Sequence, residues 1–219
     1  LDLEHTALLG DTLADIAREK IDAAPEGATL YVSESCKAAH REIDAHCAER
    51  SVAPVWIAQT DAPLAGVHQR QNAALALALA RDVAALGDDD ARTALAAVRW
   101  PGRLEVIDQD PLIVIDVGHT PAAIAAARTG FDVMRGERDA VLVCGASADK
   151  NVASLIGALA PGFSTIICAA ARHKGAPAAE VAAAARATNP HAELVIADSV
   201  AEARRLALAK ARPIYVAGG

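Results

Sequence analysis

The sequence predicts an α/β protein: a Rossmann-like C-terminal domain with a mainly parallel sheet, preceded by a second α/β segment. Three observations predict it. Five short runs, Leu112–Asp116, Ala140–Cys144, Ser164–Cys168, Glu193–Ala197 and Ile214–Ala217, alternate with helical patterns at about 151–160, 177–187 and 200–211. Strand–helix alternation of this kind implies a parallel sheet with right-handed crossovers. The first run is β-branched at three of its four apolar positions and ends in Asp116-Val117-Gly118-His119-Thr120-Pro121, followed by an alanine-rich helical pattern. Such a strand is expected to be buried on both faces, and its strand–turn–helix junction lies where open α/β sheets bind ligands. Finally, Trp100-Pro101-Gly102 breaks the chain and divides it into residues 1–99 and 100–219.

The first part reads as follows. Leu1 to Gly10 is a strand end or turn carrying Asp2, Glu4 and His5. Leu13 to Lys20 is a helix with Asp11 or Thr12 as N-cap and Leu13, Ile16 and Ala17 as its apolar side. Ala28–Ser33 is a strand, Ser35–Glu49 is helical and Ala53–Gln59 is a further strand. Residues 66–85 carry an alanine–leucine run so uniformly apolar that the helix should be buried nearly all round. Its polar start, with His68, Gln69, Gln71 and Asn72, then faces a cleft or another domain. Asp88-Asp89-Asp90 opens a short helix that ends near Arg99.

Composition narrows the function. The chain has 219 residues, 53% of them hydrophobic but only 3% aromatic, so the core must be built from Ala, Val, Leu and Ile. A net charge of −7 without a basic stripe argues against nucleic acid as a partner, and no apolar run reaches the roughly 18 residues of a membrane span. Cys36, Cys47, Cys144 and Cys168 lack the spacing of a disulfide framework, which points to a reducing cytoplasm. Cys36, His40, His46 and Cys47 do not share one helical face, so a buried thiol and exposed imidazoles are the better reading than a metal site. The chain opens without Met and stops at a strand's glycine turn, so a fragment of a longer protein is expected.

Several residues admit two readings at this level. Lys20 suits the negative end of a helix dipole, or serves chemistry. Asn72 is a terminal hydrogen-bonder, or an amide that reads a purine edge by donating and accepting together. Arg103, Asp116 and His119 are a surface cation, a helix cap and a loop imidazole, or a nucleotide-handling set. Arg103 and Asp116 are expected at a polar rim, with Gly145–Lys150 and Arg172–Gly175, where replacing either should leave the fold intact.

Five blocks in order carry a resemblance. They are Asp2-Leu3-Glu4-His5 through Glu19-Lys20, then Gly66-Val67-His68-Gln69 through Asn72, then Trp100-Pro101-Gly102-Arg103-Leu104-Glu105, then Asp116-x-x-His119-x-Pro121, then Gly145 through Asp149-Lys150. Together they resemble the folylpolyglutamate synthase/dihydrofolate synthase branch of the Mur ligase superfamily. The resemblance implies an ATP-dependent ligase that activates a carboxylate as an acyl phosphate and joins an amino acid, glutamate, to a folate-type acid. Residues 1–99 would be the C-terminal part of its central ATPase domain and 100–219 its C-terminal domain.

By the same resemblance, His5 is similar to a Mg²⁺ ligand. Lys20, fifteen residues on, is similar to a lysine that becomes carbamylated, its two new oxygens suited to a hard cation. Asn72 resembles an adenine contact and Arg103 an arginine that reaches the ATP phosphates. Asp116 and His119 resemble a pair that closes over ribose and phosphates. This sequence departs at Val117, Gly118 and Thr120, where the family usually reads Gly, Ala and Asn, and at Ile21-Asp22, where it reads Gly-Ile. No Gly-x-x-Gly-Lys-[Ser/Thr] occurs, so the chain by itself is expected not to turn over ATP. The rival expectation is a non-catalytic small-ligand-binding or interaction module built on this fold.

Overall fold

The computed structural model describes residues 6–218. It divides into two compact units, Leu1–Arg99 and Trp100–Gly219. Among the described residues no helix is long and apolar enough to cross a membrane.

In the first unit, α1 (Thr6–Leu9) is a single helical turn, so the strand end or turn expected up to Gly10 is corrected over these four residues; His5 lies outside the described residues. α2 spans Leu13–Asp22, with Thr12 as its N-cap. The Thr12 hydroxyl accepts from the Asp15 N–H at 3.1 Å and the Asp15 carboxylate accepts from the Thr12 N–H at 3.2 Å, a reciprocal cap that fixes where the helix starts. β1 (Thr29–Ser33) and β2 (Ala53–Ile57) pair in parallel with Thr29 opposite Ala53. Between them the expected helix is split into a 3₁₀ stretch, Glu34–Ala39, and α3 (His40–Glu49). Ala17 and Ile21 of α2 join Val32, Ala39, Ile43, Cys47 and Val52 in one core cluster.

α4 (Val67–Ala84) packs on β1 and β2, and α5 (Asp88–Ala97) packs on α4. Burial of α4 all round is overturned: only Gln69, Ala73 and Ala74 are buried, while Leu79 is 48% and Val83 83% exposed. A two-stranded sheet can cover only one stripe of a helix, and Ala and Leu on every face give the sequence no direction in which to point it.

The second unit holds a six-stranded sheet in the order β3-β4-β8-β5-β6-β7. The strands are β3 (Glu105–Gln109), β4 (Leu112–Asp116), β5 (Val141–Cys144), β6 (Thr165–Cys168), β7 (Glu193–Ile196) and β8 (Ile214–Ala217). All pairings are parallel except β3 with β4. β3 is an edge strand absent from the sequence reading. β4 alternates rather than being sealed on both faces, with Leu112, Val114 and Asp116 buried and Ile113 and Ile115 half-buried. α6 (Pro121–Arg135) starts on the Thr120 cap with Pro121 at its first position, which suits a proline that has no N–H to satisfy. α7 (Val152–Leu159) and α9 (Val200–Leu208) start on Asn151 and Ser199 in the same manner. α8 spans Ala178–Thr188.

Parallel strands alternate their side chains between two layers. Val141, Val143, Ile167 and Ile214 pack with Ala203 and Ala207 of α9. On the other face Tyr215 stacks on Phe131 of α6 with ring centroids 4.7 Å apart, and Phe163 joins the stack. In-register pairing sets Asp116, Ala217, Cys144, Cys168 and Ile196 in a row along one edge of the sheet. Every loop after these residues therefore leaves from the same side.

Candidate functional site

In the second unit the polar loops converge on that edge. Ser147 forms an isolated bridge with Gly175, and the Ala148 N–H donates to the Lys174 carbonyl at 2.7 Å, tying the loop after β5 to the loop after β6. A cavity of about 270 Å³ opens between them, lined by Cys144, Gly145, Ser147, His173 and Gly175, with Gly218 from the end of β8. Close backbone approach demands glycine here: a Cβ on Gly145 would stand 2.7 Å from the Ala169 carbonyl oxygen, and one on Gly218 2.2 Å from that of Gly145. The Asp149 carboxyl is held below its ordinary range, first by a hydrogen bond from Ser147 and then by the Lys150 and Lys174 charges.

At the end of β4 the sequence-named residues separate into two kinds. Asp116 is 3% exposed and is the last residue of its strand. One carboxylate oxygen accepts from the Leu104 N–H at 3.0 Å and the other from the Gly118 N–H at 2.7 Å. The Val117 N–H donates to the Gly102 carbonyl at 2.8 Å, and the Gly102 N–H donates to the Glu105 carboxylate at 2.8 Å. Asp116 thus fastens the turn that carries Arg103 to the loop that carries His119. A Cβ on Gly118 would stand 2.8 Å from the Asp116 carboxylate oxygen, so a larger residue there would require that carboxylate to shift.

The expectation that Asp116 can be replaced without harm to the fold is overturned, because two buried backbone donors depend on it. Glu105, which holds the other side of the same turn, was not singled out from sequence. Its one signal is an acid three residues after a turn glycine. Arg103 is half-buried and His119 exposed, and neither side chain has a hydrogen bond or ion pair among the described residues. Arg103 lies outside helices and strands, in the turn between α5 and β3.

The first unit has its own cavity, of about 430 Å³, lined by Lys20, Ser33, Cys36, His68, Gln71 and Asn72 among others. Lys20 from the last turn of α2 and Asn72 from the start of α4 meet there, 52 residues apart in sequence. Lys20 is exposed and has no ion pair among the described residues. Asn72 donates to the Gln69 side chain at 3.1 Å. The Ser33 hydroxyl donates to Gln71 at 2.7 Å, a link from the end of β1 to α4 that fixes one wall. Among the described residues no group of three or more His, Cys, Asp or Glu could hold a metal ion. His46 bonds instead to Asp22 at 2.9 Å and Glu49 at 3.0 Å.

An open parallel sheet whose polar loops gather at its C-terminal edge is a small-ligand-binding architecture. The chain belongs to the Mur ligase family, in its folylpolyglutamate synthase/dihydrofolate synthase branch: the family's glutamate ligase domain matches residues 102–218. A probable bifunctional folylpolyglutamate synthase/dihydropteroate synthase of Halobacterium salinarum is 34% identical over 185 residues, covering 72% of this chain and 22% of that protein. The dihydrofolate synthase/folylpolyglutamate synthase of Mycobacterium tuberculosis is 30% identical over 218 residues, covering 82% of this chain and 44% of that one. The fold is that of the M. tuberculosis folylpolyglutamate synthase crystallised with ADP and AMPPCP, with a TM-score of 0.82 at 22% identity, covering all of this chain and 59% of that one. The chain spans less than half the length of these two curated relatives.

Proposed function

We propose that this chain is the C-terminal part of an ATP-dependent ligase that joins glutamate to a folate-type acid. Residues 1–99 would be the end of its central ATPase domain and 100–219 its glutamate ligase domain. The observation that carries the reading is the edge of the six-stranded sheet. Within the matched region Arg103, with no ion pair among the described residues, stands on a turn that Asp116, Glu105 and Gly102 hold fast against the His119 loop. A cation prepositioned in this way suits the phosphates of ATP and the charge that develops in phosphoryl transfer and in attack on an acyl phosphate.

Roles follow from chemistry. Arg103 neutralises phosphate charge, His119 donates to phosphate or ribose oxygens, and Asp116 keeps both in place. Asn72, on the wall of the first cavity, has an amide suited to the adenine edge. Lys20 on the same wall is the residue we assign to carbamylation. The modification would replace its positive charge with an anion carrying two oxygens, so that with His5 it could contribute to holding a divalent cation such as Mg²⁺. Further donors would have to come from beyond the described residues. Such a cation supplies positive charge to phosphate oxygens. The sequence spacing of Cys36, Cys47, Cys144 and Cys168, which is not that of a disulfide framework, supports a reducing compartment, the cytoplasm.

The test is ADP formation by the whole protein, dependent on both glutamate and a folate-type acid. Arg103→Ala should lower it by roughly a hundredfold. Lys20→Arg should abolish it even at saturating bicarbonate, because a guanidinium is always charged and is not carbamylated in this way. Wild-type rates in both variants, or ADP formation indifferent to glutamate, would overturn the reading. The isolated chain should show no turnover.

A further inference from the structure

Two of the four cysteines meet in the sheet. Cys144 closes β5 and Cys168 closes β6, and parallel register sets them directly opposite one another. Both point into the same layer, because residues in register on neighbouring strands share a face. Neither is on the surface: Cys144 is 3% and Cys168 0% exposed. Cys144 is nevertheless among the residues that line the cavity of about 270 Å³ at the sheet edge.

Spacing permits a bond. Neighbouring strands lie about 4.8 Å apart, inside the window of about 4.4–6.8 Å that Cα atoms span in disulfides. Immediately beyond the pair the backbones draw close, the Ala169 N–H donating to the Cys144 carbonyl at 3.0 Å. The position of a Cβ on Gly145 would fall 2.7 Å from the Ala169 oxygen. The two strand ends are thus held together by main chain on either side of the sulfurs.

We propose that Cys144 and Cys168 form an oxidisable dithiol that a peroxide entering the sheet-edge cavity converts to an intrachain disulfide. The Cys144 sulfur attacks one peroxide oxygen, the O–O bond breaks, and a sulfenic acid and one water result. The Cys168 sulfur then attacks the sulfenic sulfur, forming the S–S bond and expelling the second oxygen as water. Two thiols and one peroxide become one disulfide and two waters. The hydrogen bond between the thiols, together with burial, pushes Cys144 well up, and the same bond draws Cys168 down. Cys168 is therefore suited to the resolving step and Cys144 makes the first step slow. Closure would draw together the strand ends that carry the loops 145–150 and 169–175, reshaping the cavity between them.

The test uses the folded chain treated with hydrogen peroxide, quenched with catalase, alkylated in denaturant and digested with trypsin. Cleavage at Lys150 separates the cysteines into peptides 139–150 and 151–172. The expected product is these two peptides joined, less two hydrogens, and released by mild thiol. In Cys168→Ser the oxidation should stop at a Cys144 sulfenic acid, trapped by dimedone. The proposal fails if Cys144 and Cys168 stay fully alkylatable while Cys36 or Cys47 oxidises. It fails equally if the joined peptides arise only when urea has unfolded the chain, since a linkage made in the unfolded state owes nothing to strand register.

Discussion

The two units solve the same problem with different completeness. In the six-stranded unit every residue of β5 and β6 is buried, and helices cover both faces. In the two-stranded unit β2 has no fully buried residue, and α4 leaves Leu79 and Val83 in water. Both are α/β by pattern. Burial scales with the number of layers a strand is sandwiched between, so the larger sheet carries its own stability and the smaller carries less. Heating should therefore produce two transitions, with the first unit melting before the second. Calorimetry with tryptophan fluorescence separates them, since Trp56 reports on the first unit. A single cooperative transition would break the comparison.

Point substitutions sharpen it. Phe131 is fully buried in the Phe131–Phe163–Tyr215 stack, so Phe131→Ala should cost about 3–5 kcal/mol. Val83→Ala, at 83% exposure, should change stability by less than about 0.5 kcal/mol. Denaturant midpoints on each transition measure both. If Val83→Ala proves as costly as Phe131→Ala, α4 is covered after all.

A smaller but more informative contrast lies within one site. Asp116→Ala strips acceptors from two buried N–H groups and should destabilise the second unit by about 3 kcal/mol. Arg103→Ala, with no partner to lose among the described residues, should fall within about 0.5 kcal/mol. Hydrogen exchange at the Leu104 and Gly118 amides should quicken in the first variant and not in the second. Equal losses would mean that Arg103 has a structural duty.

These contrasts also mark what could be read from residues alone. The strands β5, β6 and β8 are legible because three or four apolar residues in a row between turns leave little choice. β3 is not, because Glu105–Gln109 is exposed at all but its first residue and owes its existence to one neighbour, β4. The helix caps at Thr12, Thr120 and Ser199 are written in single residues. The span of α4 is written too, but not the side it buries. At the site Arg103 and His119 are legible as polar residues in turns. The task of Asp116 is hidden because its donors are main-chain N–H groups, which no residue letter records. The meeting of Cys144 with Cys168 is hidden as well, since strand order and register are settled only when the sheet assembles.

The smallest expected effect concerns pH and the first unit alone. His46 of α3 sits between Asp22, the last residue of α2, and Glu49, and Asp22 also accepts from Arg50 at 3.0 Å. Hydrogen bonds to Asp22 and then Glu49 raise the His46 pKa above its ordinary value, and burial only partly opposes them. A histidine raised on folding stabilises the fold in its protonated form. The contribution is fully present below the unfolded value, roughly 6.5, and disappears as pH climbs through the raised folded value. The first unit should therefore lose a little stability on going from mildly acidic to mildly alkaline pH, while the transition of the second unit, to which His46 does not belong, stays unaffected by this group. The pair is partly open to water, so the change should stay within about 1 kcal/mol. His46→Gln should flatten that slope in the first transition. A slope that survives the substitution would place the proton elsewhere.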